Sequence, residues 1–151
     1  MQKQEIVDLI IKTIVQELDS ASKAALESAH EATDEESRPE NKYDTRALET
    51  SYVASAQAGY AKDLKAALQA YRNLSLPKEP HSGPAAIGSL VTTLGNAGRE
   101  QFFIGPARGG LEIATEAGSI TVLTPKSPLG QQLIGKSLGG SAGDRRILRV
   151  E

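Results

Sequence analysis

The chain has 151 residues, a net charge of -2, no cysteine and no tryptophan. This length suits one ordinary domain or two small ones, and the lack of cysteine excludes disulfides and thiolate metal sites. No apolar run approaches the roughly 20 residues of a membrane span, and Met1 to Asp8 is too polar for a signal peptide, so a cytoplasmic location is expected. The few aromatics (Tyr43, Tyr52, Tyr60, Tyr71, Phe102, Phe103) disfavour a base-stacking platform. The weak net charge gives no general affinity for nucleic acid.

Residues 4–33 predict one helix. Val7, Ile11, Ile14, Leu18, Ala21, Ala25, Ser28 and Ala32 recur in steps of four and three, a heptad seam that is bulky at first and small later. Residues 34–43 are short and polar. Residues 44–74 predict a second helix, with Leu48, Tyr52, Ala56, Tyr60, Leu64, Leu68 and Tyr71 near one face. Two helices of similar length with a short connection predict an intramolecular antiparallel hairpin, hence a monomer. At ~1.5 Å per residue each arm would be about 45 Å long.

Charge is concentrated at the turn of this hairpin. Residues 1–75 hold 13 acids and 9 bases, and the stretch 31–44 alone holds six acids (Glu31, Asp34, Glu35, Glu36, Glu40, Asp44) against Arg38 and Lys42. Acids near a helix start complement its dipole, and Asn41 suits a helix cap or turn, so local structural roles are open for several of these residues.

Composition changes near residue 76. The segment 76–84 contains three prolines and predicts a linker, and 13 of the 14 glycines lie in 83–151. From 85 onward the pattern is of strands and turns: Ile87–Leu94, Glu100–Ile104, Leu111–Thr115, Ser119–Leu123 and Ile147–Val150. One short helix is expected after Ser127 as its N-cap, with Pro128 at the first helical position and Gly135 near its end. The fold class is therefore α+β: a helical hairpin over 1–75, a linker over 76–84 and a β-rich domain over 85–151.

Most enzyme signatures are missing. No Gly-x-Ser-x-Gly elbow occurs. Gly105-Pro-Ala-Arg-Gly-Gly110 lacks the lysine of a phosphate loop, and Gly135-Lys136-Ser137 lacks the strand-loop-helix context. His30 and His81 are isolated and have no metal-ligand spacing.

Two motifs carry a resemblance. The first is Ser127-Pro-Leu-Gly-Gln-Gln-Leu-Ile-Gly-Lys136, preceded by Ile120-Thr-Val-Leu123. The second is Glu40-Asn41-Lys42-Tyr43-Asp44 at the turn of the hairpin. Together with the architecture they resemble the GreA/GreB family of transcript-cleavage factors, and suit a short divergent subgroup of it. In that family the first motif follows a strand in the C-terminal domain, and the hairpin tip reads Asp-x-x-Glu-Asn with a Tyr close behind. Aligned on Glu40-Asn41, this chain has Ser37 at the tip Asp; aligned on Tyr43, it has Glu36 there and Pro39 at the Glu.

The resemblance implies an N-terminal coiled coil, an FKBP-like C-terminal domain and bacterial RNA polymerase as partner. It implies an accessory factor rather than an enzyme. The tip would enter the polymerase secondary channel and stimulate cleavage of backtracked RNA, touching the nascent RNA only indirectly. Tip carboxylates would help hold a Mg²⁺ ion shared with the polymerase active site, since Mg²⁺ takes hard oxygen ligands while retaining waters; no metal is expected in the isolated chain. Glu36 and Glu40 are the leading candidates, with Asp34, Glu35, Asn41 and Asp44 also possible. Ser127, Pro128 and Leu129 match the motif that meets the polymerase and are the candidate partner contacts. The altered tip keeps a second reading open, a channel-binding inhibitor or modulator without cleavage. A coiled-coil adaptor and a prolyl isomerase are weaker alternatives.

Overall fold

The computed structural model describes residues 2–33, 46–77 and 83–151. Helix α1 spans Lys3–Thr33 and α2 spans Arg46–Arg72. The sheet region follows with β1 Leu90–Gly95, β2 Gly98–Ile104, β3 Glu112–Thr115, β4 Gly118–Leu123, helix α3 Pro128–Leu133, β5 Ser141–Ala142 and β6 Arg145–Val150. The fold is α+β, a long helix pair and a mixed six-stranded sheet. Among the described residues, no helix is long and apolar enough to cross a membrane.

The chain divides into two compact units. One comprises Met1–Ile11 and Gln69–Glu151, the other Lys12–Leu68. The change of composition near residue 76 falls inside the first.

In the helical unit, Ile14, Ala21, Ala61, Leu64, Ala67 and Leu68 are buried. Ile14 and Ala21 lie on the expected seam, and Leu18 is half-buried. Tyr60 departs from expectation, with 48% of its surface exposed. The expected face of α2 relied on repeated steps of four. Each such step overshoots a turn of 3.6 residues, so the series rotates off the packed face. The buried series is instead Ala61, Leu64, Leu68 in alternating steps, with Ala67 beside it. The side chains of Ala25, Ser28, Ala32, Leu48, Tyr52 and Ala56 lie outside those described.

In the other unit the strand order is β3-β4-β2-β1-β6-β5. All neighbouring pairs are antiparallel except β2 and β4, which run parallel with Gln101 opposite Ile120 and Phe103 opposite Val122. Side chains alternate across a strand, so these registers sort them onto two faces. The first face carries Val91, Phe102, Ile104, Leu123, Ile147 and Val150, which form one buried cluster with Ala85, Ala142 and Leu133. Leu129 and Ile134 pack against it, so α3 covers this face.

Ile147 and Val150 are three residues apart and would face opposite ways in a regular strand. The register of β1 with β6 shifts between Thr92 and Thr93, and this bulge returns both to the same side.

The second face carries Leu90, Phe103, Val122, Ile120 and Ile113, all buried. Gly105 is the next position on that side after Phe103, and a Cβ built there would collide with the Tyr71 hydroxyl. Tyr71 at the end of α2 therefore lies against this face, and its Oη donates to the Ala107 carbonyl at 2.7 Å. Burial pushes its phenol well above the usual value of 10.0. The same unit buries Ile6, Val7 and Ile10 of α1, and Lys3, whose Nζ donates to the Pro77 carbonyl at 3.4 Å. Ile6 and Ile10 widen the packed stripe of α1 beyond the expected seam.

The expected strand from Ile87 begins later, at Leu90. Gly88 has a φ of 93°, its N–H donates to the Ile104 carbonyl at 2.7 Å, and a Cβ there would meet Pro77 Cδ at 2.9 Å. That left-handed turn ends the run of extended backbone. The remaining expected strands occur with small shifts of their ends.

Candidate partner-docking site

The described residues that matched the second-domain motif form the corner where β4 turns into α3. Ser127 occupies the N-cap with extended backbone, and Pro128 follows at the start of the helix. The Ser127 Oγ accepts from the Gly130 N–H at 3.3 Å and from the Thr124 N–H at 3.2 Å, and donates to the Thr124 carbonyl at 2.7 Å. A hydroxyl has one donor and two acceptor positions. All three are engaged locally, so Ser127 shapes the corner through its cap. Pro128 is exposed, and Leu129 is half-buried against the core cluster.

Gly130 is a required member of this corner. A Cβ there would collide with the Thr124 carbonyl and come within 2.5 Å of the Ser127 Oγ. At the far end, Ile134 is the C-cap and Gly135 follows with a φ of 80°. Gly135 N–H donates to the Ala85 carbonyl and Ala85 N–H donates to the Lys136 carbonyl, both at 2.8 Å. This reciprocal pair fixes α3 to the start of the sheet region. Pro128, Gln131, Gln132 and Lys136 are among the exposed residues of this corner. The last three line a shallow hollow with Ser141, Ala142 and Gly143.

Gln131, Gln132 and β5 were not singled out from sequence. Two residues of strand carry too little pattern to read, although Gly143 before Asp144 marks the turn.

The leading tip candidates, Glu36 and Glu40, lie outside the described residues, as do Asp34, Glu35, Asn41 and Asp44. Among the described residues, no group of three or more His, Asp or Glu lies together so as to hold a metal ion.

The fold and this corner define an α+β protein whose sheet unit presents a capped helix start. No protein-family model matches the chain, and no curated protein does. Among solved structures, the chain is similar to the GreA factor homolog 1 (Gfh1) protein of Thermus thermophilus, with a TM-score of 0.37 and 16% identity over 97% of this chain and 93% of that one. It is also similar to Thermus aquaticus Gfh1, with a TM-score of 0.35 and 17% identity over 97% and 92% of the two chains.

Proposed function

We propose that this chain is a bacterial RNA polymerase-binding elongation factor of the Gre type. The sheet unit docks on the polymerase through the corner of Pro128 and Leu129, with Ser127 holding its shape. The helix pair carries the acidic stretch 31–44 into the secondary channel, where Glu36 and Glu40 stimulate cleavage of backtracked RNA. In that reading these carboxylates help complete a Mg²⁺ site that belongs to the polymerase, and the chain itself is an accessory factor and not a catalyst. The observation that carries the reading is the motif from Ser127 to Lys136, because its residues build one capped corner: Ser127 saturates the turn, Gly130 permits it and Leu133 anchors it.

A second reading, occupation of the channel without cleavage, is supported by the tip sequence, in which neither alignment reproduces the Asp and Glu together. One assay separates the two. RNA cleavage is followed in a stalled, backtracked elongation complex with the wild-type chain and with the double variant Glu36→Ala/Glu40→Ala. Faster cleavage with wild type, lost in the variant, is expected. Binding that slows synthesis equally for both proteins, with no cleavage, assigns the chain to the inhibitors.

A further inference from the structure

The second sheet face ends in a row of side chains that the docking corner does not use. Leu94 on β1 is paired directly with Arg99 on β2 and with Arg146 on β6. Residues directly opposite across strands project from the same face, so the leucine is flanked on both sides by guanidinium groups. Leu94 is 48% exposed, and both arginines are exposed.

The sheet strands hold four arginines, and the other two are neutralised. Arg145 Nε meets Glu100 Oε1 at 3.0 Å while its guanidinium lies over the Phe102 ring, and Arg149 meets Glu151 at 2.9 Å. Arg99 and Arg146 have no carboxylate partner among the described residues. Beside Arg99 lies a cleft lined by Arg99, Gln101, Ala117, Gly118 and Ser119, and of these Arg99 and Gln101 project from the same face as Leu94. Its amide and guanidinium donors, from Gln101 and Arg99, suit a carboxylate.

We propose that this row is a docking patch for an acidic protein segment that seats an apolar side chain on Leu94 between two carboxylates. One carboxylate is held by Arg99 at the mouth of the cleft, the other by Arg146. An exposed leucine between two unneutralised charges has a use in such a contact, whereas a nucleic-acid backbone would leave it idle. The described residues of the patch also include no aromatic on which a base could stack. Because α3 covers the opposite face, this patch is separate from the corner proposed for the polymerase.

The test uses the full chain and a short fluorescein-labelled peptide rich in glutamate and leucine, followed by fluorescence anisotropy at low ionic strength, where screening is weakest. A peptide with serine replacing leucine and a labelled oligouridylate are the comparison probes. Arg99→Glu and Arg146→Glu are each expected to weaken the leucine-containing peptide by about threefold or more, typical of exposed charge pairs. Leu94→Ser should weaken that peptide and leave the serine peptide unchanged. Lys136→Glu, which alters net charge equally but lies beside α3, should have no effect. Circular dichroism verifies folding of each variant. Failure of the wild-type chain to bind the peptide overturns the proposal, as does binding insensitive to both arginines. Equal, arginine-dependent affinity for oligouridylate also overturns it and reassigns the patch to nucleic acid.

Discussion

The two faces of the sheet are buried by different means. On the first, the cover is local: a six-residue helix with Leu129 and Leu133, only a few residues after β4, closes over Val91, Phe102 and Ile104. On the second, Phe103 and Val122 are fully buried, and the identified cover includes Tyr71, which lies 32 positions before Phe103 in the chain. A sheet covered on one side by its own helix and on the other by the end of a distant helix is not self-sufficient on the second side. This difference also explains why the compact unit includes residues on both sides of the proline-rich segment.

The largest expected effect tests that dependence. A fragment of residues 83–151 lacks Tyr71 and exposes the apolar second face, so it should be aggregation-prone or bind the dye ANS, while the full chain should not. A cooperative, soluble fragment with the melting behaviour of the full chain would break the comparison. On the local side, Leu133→Ala deletes the fully buried anchor of α3 and should cost about 2–5 kcal/mol in urea unfolding.

The Tyr71 contact is expected to be smaller. Tyr71→Phe leaves the Ala107 carbonyl without its donor and should cost about 1–3 kcal/mol. The raised phenol pKa adds a pH signature. The neutral form is favoured in the folded state, so its contribution is complete below pH 10.0 and is lost as the pH rises above that value, when the unfolded chain releases the proton. Wild type should lose stability more steeply than Tyr71→Phe on the alkaline side, as followed by urea midpoints across that range. Ser127→Ala removes a helix cap and should cost about 0.5–2 kcal/mol.

The smallest effect is expected at the sheet edge. Asp144 accepts from the Asn96 N–H at 2.8 Å, and this bond, with Arg145 nearby, holds its carboxyl below the usual 3.8. Its stabilising contribution is therefore present above pH 3.8 and fades as the pH falls through the lowered value. Asp144→Asn should flatten only the most acidic part of the stability profile, and amide exchange at Asn96 is the direct readout.

Much of the sheet unit was legible because its signals are local. Ser127, Pro128 and Gly135 mark the ends of α3 by cap chemistry, and alternation with glycine turns marks β2, β3 and β4. Other features depend on distant partners. Gly88 turns out of the strand pattern because its N–H meets Ile104 and its backbone lies against Pro77. Tyr60 leaves the packed face because a series of steps of four, from Leu48 to Leu64, mimics a seam without following the 3.6-residue turn. The arginines flanking Leu94 were not readable either, since strand register, and not sequence proximity, places Arg99 and Arg146 on either side of it. For the candidate site, the motif located the corner but not the division of labour in which Ser127 is engaged locally and Pro128 is exposed.

The proposed docking of the α3 corner on RNA polymerase is tested most directly by the affinity of the labelled full chain for core polymerase, measured for wild type and for Pro128→Glu. An acidic residue is favourable at a helix start, so this variant should keep α3 while placing a charge on the exposed docking surface. Binding by wild type that weakens at least about tenfold in the folded variant is predicted, the loss expected of a contact at the centre of an interface. No binding by wild type, or identical affinity of the two proteins, would contradict the account.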